Sequence, residues 1–230
     1  MKKFFLFLIF LIVLLAVGAQ FALPSYLESQ VQSELDEALH PSSQTIDISS
    51  MPAFKLTYGE VDEVKGTLEN VKLGKLNFNH FQYSAEGLKI NPVSLLMSRE
   101  IDVISANSAS LEGIVLADDL KTFLVDNTPG LENGNVKLSN EKITVSGSVN
   151  LLGALRGQGN LEGNLELKDN VLSFAPTRFT INGSTVGGLT SQVLEPITIY
   201  DFNTFPIPVK AESVSVESDE IHIKIKPVIN

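Results

Sequence analysis

Three glycines, Gly157, Gly159 and Gly163, follow Arg156 in the stretch LRGQGNLEG. Glycines beside a cation are the raw material of a phosphate-binding loop, whose backbone N–H groups point at the anion from a helix N-terminus. Such a loop leaves a buried strand, opens a helix and carries a lysine next to serine or threonine. Here Leu161, Leu165 and Leu167 alternate with Glu162, Asn164, Glu166 and Lys168, and a second strand-like run, VLSFAPTRFTING, follows. Period-two alternation is the mark of a strand with one buried face. With neither the helix nor the lysine pair present, the glycines read as places where a long strand bends.

The other reactive side chains are scattered. His40, His80 and His222 fall in three separate segments, whereas a zinc site needs convergent ligands. Glu60, Asp62 and Glu63 lack the Asp/Asn ladder and closing glutamate of a calcium loop. Asp118 and Asp119 open a helical stretch, where carboxylates suit the helix N-terminus; as catalytic carboxylates they would still need a partner in a cleft. The chain has no cysteine, which removes disulfides and thiol chemistry, and it has neither a G-x-S-x-G elbow nor an H-E-x-x-H pair. The expectation is a protein that is not an enzyme and uses no cofactor or metal.

The 230 residues carry a formal net charge of −10, and −12 once Lys2 and Lys3 are set aside with the first 22 residues. That sign argues against nucleic acid as a partner and against electrostatic docking on anionic lipid. Any lipid contact has to be apolar. After MKK, sixteen residues from Phe4 to Ala19 carry no charge. A basic start and an apolar run form an export signal. Two readings stay open: cleavage after Val17-Gly18-Ala19, or a retained anchor, since Phe4 to Leu23 has the length of a membrane span. Residues 1–23 are accordingly a signal peptide or signal anchor, and 24–230 a single domain working outside the cytoplasmic membrane of a bacterium.

These residues need elements to position them. Leu27, Val31, Leu35, Ala38 and Leu39 share one face of a helix that His40-Pro41 ends. Strand patterns then take over: TIDIS, the run GTLENVKLGKLNFNHFQYSAEGLKI, and IDVISANSASLEGIVL. LADDLKTFLVDNTPG reads as a short helix with Leu116, Leu120, Phe123 and Leu124 at helical spacing. VKLSNEKITVSGSVNL reads as a hairpin. GLTSQVLEPITIYDF offers a second short helix (Leu189, Val193, Leu194, Ile197) interrupted by Pro196, and AESVSVES and EIHIKIK close the chain as strands. The fold class is α+β: long antiparallel strands, strongly curved by glycine, over a few short apolar-faced helices. Such an interior holds either a packed core or an elongated apolar channel.

Several of these segments together carry a resemblance: LESQVQSELDEAL, MPAF…YGEVDEVKG (with Pro52, Phe54 and Gly59), ASLEGIVLADDLKTFL, VKLSNEKITVSGSVNL and FPIPVKAESVSVESDEIHIKI. From about Tyr26 to Lys226 the chain resembles the LmeA family of phospholipid-binding proteins, exported bacterial envelope proteins with a fold similar to the tubular lipid-binding (TULIP) superfamily. The resemblance implies a curved sheet wrapped about helices, acyl chains held between them, and headgroups at the solvent. A chain of about sixteen methylenes would gain on the order of 10 kcal/mol before ordering costs. The side chains assigned to the channel lining are Leu120, Phe123 and Leu124 on the middle helix and Val193, Leu194 and Ile197 on the later one. The expected partners are phospholipid and, through the N-terminal helix, the membrane. A structural envelope protein with a solid core is the alternative.

Overall fold

The computed structural model describes residues 2–98, 102–127, 131–139, 142–151, 155–185, 194–205, 207–217 and 219–229. Helices are α1 (Lys2–Leu39), α2 (Pro92–Met97) and α3 (Ala117–Asn127). Strands are β1 (Ser43–Ser49), β2 (Glu60–Leu73), β3 (Leu76–Ile90), β4 (Val103–Ser105), β5 (Ser108–Leu116), β6 (Leu131–Ser139) and β7 (Lys142–Leu151). They continue with β8 (Leu155–Lys168), β9 (Val171–Ile181), β10 (Ser184–Thr185), β11 (Ile197–Asp201), β12 (Val209–Glu217) and β13 (Glu220–Pro227). Short 3-10 helices cover Ala53–Tyr58 and Phe202–Thr204.

The strands form two open sheets rather than the one expected. The first has the order β1-β2-β3-β5-β13-β12 with β4 also on β3; the second has β10-β9-β8-β7-β6 with β11 also on β9. The cause is local. α3 follows β5 directly, so β6 cannot turn back onto it as a hairpin partner. The edge of β5 is instead taken by the C-terminal β13, Val115 opposite Ile221 and Gly113 opposite Ile223.

The chain divides into two compact units, one of Met1–Leu68, Gln82–Ser110 and Ile229–Asn230, the other of Glu69–Phe81 and Leu111–Val228. In the first, Leu27, Ile48, Ala53, Leu56, Val61 and Ile90 form the core, with Leu23 and Val31 of α1 packed against it. The helical stripe starting at Leu27 is thus inward only in part, since Ala38 is exposed. α1 runs without a break through Pro24, where separate helices were expected on either side of it. Among the described residues no helix is long and apolar enough to cross a membrane. The expected membrane anchor is therefore not supported, although α1 includes its residues.

In the second unit the period-two patterns have become rows of buried side chains: Ile143, Val145 and Val149 on β7, Phe174, Phe179 and Ile181 on β9, and Ile221, Ile223 and Ile225 on β13. Rings add to them. Phe78 meets Phe81 and Tyr200 edge-on at 5.8 and 6.1 Å, and Tyr200 meets Phe202 at 4.9 Å. Edge-to-face pairs at such separations are favourable beyond their buried area. The phosphate-loop reading is excluded by geometry: Gly157, Gly159 and Gly163 all lie within β8, paired with β7 on one side. The register slips beside Gly163, where β9 carries one extra residue, Thr177, against β8.

Candidate functional site

α3 is where the second unit brings an apolar face and a charged cleft together. Asp118 and Asp119 lie in its first turn, where the free N–H groups favour negative charge. Three side chains on its inner face are buried: Leu120 and Leu124 are completely enclosed and Phe123 nearly so. The helix packs against β6, with Val136 and Leu138 of that strand also buried.

A cleft of about 510 Å³ opens between α3 and the β2–β3 hairpin tip, lined by Lys72, Lys75, Asn77, Asp119, Asp126 and Phe123, among others. The hairpin turn puts Gly74 at φ +60°, a left-handed conformation that glycine adopts without penalty. This turn presents Lys75 to the helix, and its ammonium donates to Asn127 Oδ1 at 3.1 Å. Asn77 Nδ2 donates to Asp119 Oδ1 at 3.1 Å. Asn127 in turn donates to the Phe123 carbonyl at 2.7 Å and so closes the last turn of α3. The result is a cleft lined by two lysines and two aspartates, with Phe123, a residue otherwise buried in the apolar interior, also at its wall.

The six side chains expected to line a channel divide as follows. Leu120, Phe123 and Leu124 lie together on α3 as the spacing predicted. The second group does not form a helix in the described residues: Ile197 begins β11, opposite Phe174, and Leu194 lies half-buried in a bend before it. Pro196 cannot donate a helical hydrogen bond, and the β-branched run Ile197-Thr198-Ile199 favours a strand. Val193 lies outside the described residues. The sequence reading did not single out Lys72, Lys75, Asn77 or Asn127; the polar phase of the alternation in NVKLGKLNFN was the available signal.

Two of the three histidines lie beside carboxylates. His80 Nδ1 lies 2.6 Å from Glu69, and His222 stands between Glu112 and Glu220 at 3.2 and 3.3 Å. Among the described residues no group of three His, Cys, Asp or Glu side chains is placed to hold a metal ion.

A sequence model of the LmeA-like phospholipid-binding family matches residues 18–225. No curated protein matches the chain, and no solved structure does. With the family's match running from α1 to β13, nearly the whole of the chain, this protein belongs to the LmeA-like phospholipid-binding family.

Proposed function

We propose that the protein holds a phospholipid at α3, with the headgroup in the cleft beside Lys72 and Lys75 and the acyl chains against Leu120, Phe123 and Leu124. The observation that carries this reading is the change of polarity at Phe123, which borders both the cleft and the buried face of α3. That is the polarity profile of a phospholipid over the same short distance. A phosphate suits the two ammonium groups, and the neighbouring carboxylates suit a cationic headgroup amine. Acyl burial supplies the larger free energy, because each methylene removed from water contributes about 0.8 kcal/mol.

The protein acts outside the cytoplasmic membrane, holding or transferring lipid in the upkeep of the cell envelope. Support for export comes from Lys2 and Lys3 followed by the uncharged run from Phe4 to Ala19. A second reading, a structural protein with a solid core, is favoured by one specific observation: Leu120 and Leu124 are already fully enclosed. On the first reading α3 has to move from β6 to admit an acyl chain.

One experiment separates them. The full chain is purified and its bound phospholipid is measured by native mass spectrometry, beside Leu120→Trp. Stoichiometric phospholipid in the parent and its loss in a folded Leu120→Trp variant support the lipid reading. A lipid-free parent whose Leu120→Trp variant is destabilised by the 1–3 kcal/mol typical of overpacking sinks it.

A further inference from the structure

The first unit carries exposed apolar side chains on three elements that meet at one buried residue, Ile90. The 3-10 helix Ala53–Tyr58 has three residues per turn, so Ala53 and Leu56 enter the core while Phe54 and Tyr58 face water, their rings 6.5 Å apart. Just before it, Met51 is 77% exposed. Its last turn ends at Gly59, whose carbonyl accepts the Ile90 N–H at 2.8 Å. The next residue, Asn91, caps α2 through Oδ1, and α2 exposes Val93 and Met97, the latter 83% exposed. Opposite Ile90 in the sheet stands Val103 of β4, where Val103 and Ile104 are also exposed. Scattered single hydrophobics need no explanation, but a convergent group of this size marks an interaction surface.

Two observations choose its occupant. Gln20 of α1 clamps this region: its Oε1 accepts the Ala53 N–H at 2.8 Å and its Nε2 donates to the Ser50 carbonyl at 3.4 Å. Toward its N-terminus α1 leads away from that clamp through sixteen uncharged residues, Phe4 to Ala19, about 24 Å of helix. The surface is thus continuous with the most apolar segment of the chain. Two charges beside it are paired: Lys55 Nζ lies 2.7 Å from Asp62, and that contact together with the Met51 N–H holds the Asp62 carboxyl below its usual range.

We propose that Met51, Phe54, Tyr58, Val93 and Met97 form a docking surface that inserts into the interfacial layer of a phospholipid bilayer. The inference rests on the phospholipid reading in one respect, that a bilayer is where a lipid-holding protein meets its ligand. Insertion is apolar and independent of headgroup charge, as a chain of net charge −10 requires. Aromatic and long apolar side chains on such a surface sit at the headgroup–acyl boundary.

The chain contains no tryptophan, so single tryptophans report one position each. Phe54→Trp and Val93→Trp are made in the full chain, with Glu86→Trp, at an exposed position of β3, as the reference. Each is mixed with phosphatidylcholine vesicles containing brominated lipid. Emission from Phe54→Trp and Val93→Trp shifts to shorter wavelength and is quenched severalfold more than from Glu86→Trp, unchanged by salt and reduced when Met51→Ser and Met97→Ser are added. Equal quenching at all three positions overturns the proposal. So does a shift that needs no vesicles and grows with protein concentration, which assigns the surface to a second copy of the chain. Quenching is read independently of bound phospholipid: stoichiometric lipid without quenching sinks the docking surface alone, and quenching by a lipid-free protein supports docking while the α3 site fails.

Discussion

The ring of Phe174 fills the space that a side chain at Gly163 would need: a Cβ built there would stand 2.6 Å from the ring edge and closer still to the Ala175 carbonyl. The two residues lie on neighbouring strands, β8 and β9, at the register slip. Phe174 is fully buried. Glycine is therefore required here for room, beyond any bend it allows. Gly163→Ala is expected to lower stability by about 1–3 kcal/mol, the usual cost of overpacking, measured as a lower urea midpoint with an unchanged slope.

Asn170 ties the β8–β9 turn to β12. Its Nδ2 donates to the Val209 carbonyl at 2.9 Å, its Oδ1 accepts the Ala211 N–H at 2.8 Å, and its φ of +64° is left-handed. Asn170→Ala loses these bonds and a third, from Nδ2 to Asn203 Oδ1 at 3.3 Å, and strains the backbone, for an expected loss of about 2–4 kcal/mol. Asn170→Gly removes the bonds but keeps the conformation, so it should fall between the two in thermal unfolding.

The Tyr83 hydroxyl is buried beside Gly66 and has no hydrogen-bond partner among the described residues. Burial pushes its pKa up to about 12. Below pH 10 both folded and unfolded chains keep the proton, and the hydroxyl adds no pH dependence. From about 10 upward the unfolded chain loses its proton first, so stability falls as pH rises toward about 12. Tyr83→Phe should flatten that part of the stability–pH curve and cost little at pH 7, because the hydroxyl it removes is unsatisfied.

Reversing the cleft charges tests the headgroup position. Lys72→Glu with Lys75→Glu alters two exposed side chains and loses one hydrogen bond, to Asn127. The fold is expected to lose no more than about 1 kcal/mol, while bound phospholipid falls several-fold in mass spectrometry of the purified chain.

Asp119→Asn tests the acidic side of the cleft. The carboxylate accepts from Asn77 and lies in the first turn of α3. Its neutralisation should cost roughly 0.3–1 kcal/mol through the lost helix-terminus charge, and weaken binding of phospholipids with a cationic headgroup amine more than of those without one, read by mass spectrometry of the purified chain.

Alternation and helical spacing by themselves determined most elements, because burial on one face repeats every second residue of a strand and every third or fourth of a helix. β2, β3, β7, β8, β9, β12 and β13 and the inward face of α3 were legible this way. The failure of the phosphate-loop reading was legible too, since it depends on neighbours in the chain. The end of the helix expected across Leu194 and Ile197 was misread, since Pro196 and the β-branched run after it favour the strand that pairs with Phe174. Which strands share a sheet depended on α3 occupying the chain after β5, leaving that edge for β13, 100 residues away and invisible to any local pattern. The same holds for the two surfaces proposed here. Lys72 and Asp126, or Met51 and Met97, are ordinary polar and apolar residues in sequence. Only folding sets the first pair along one cleft and brings the elements of the second pair together at Ile90, because both depend on contacts between segments far apart in the chain.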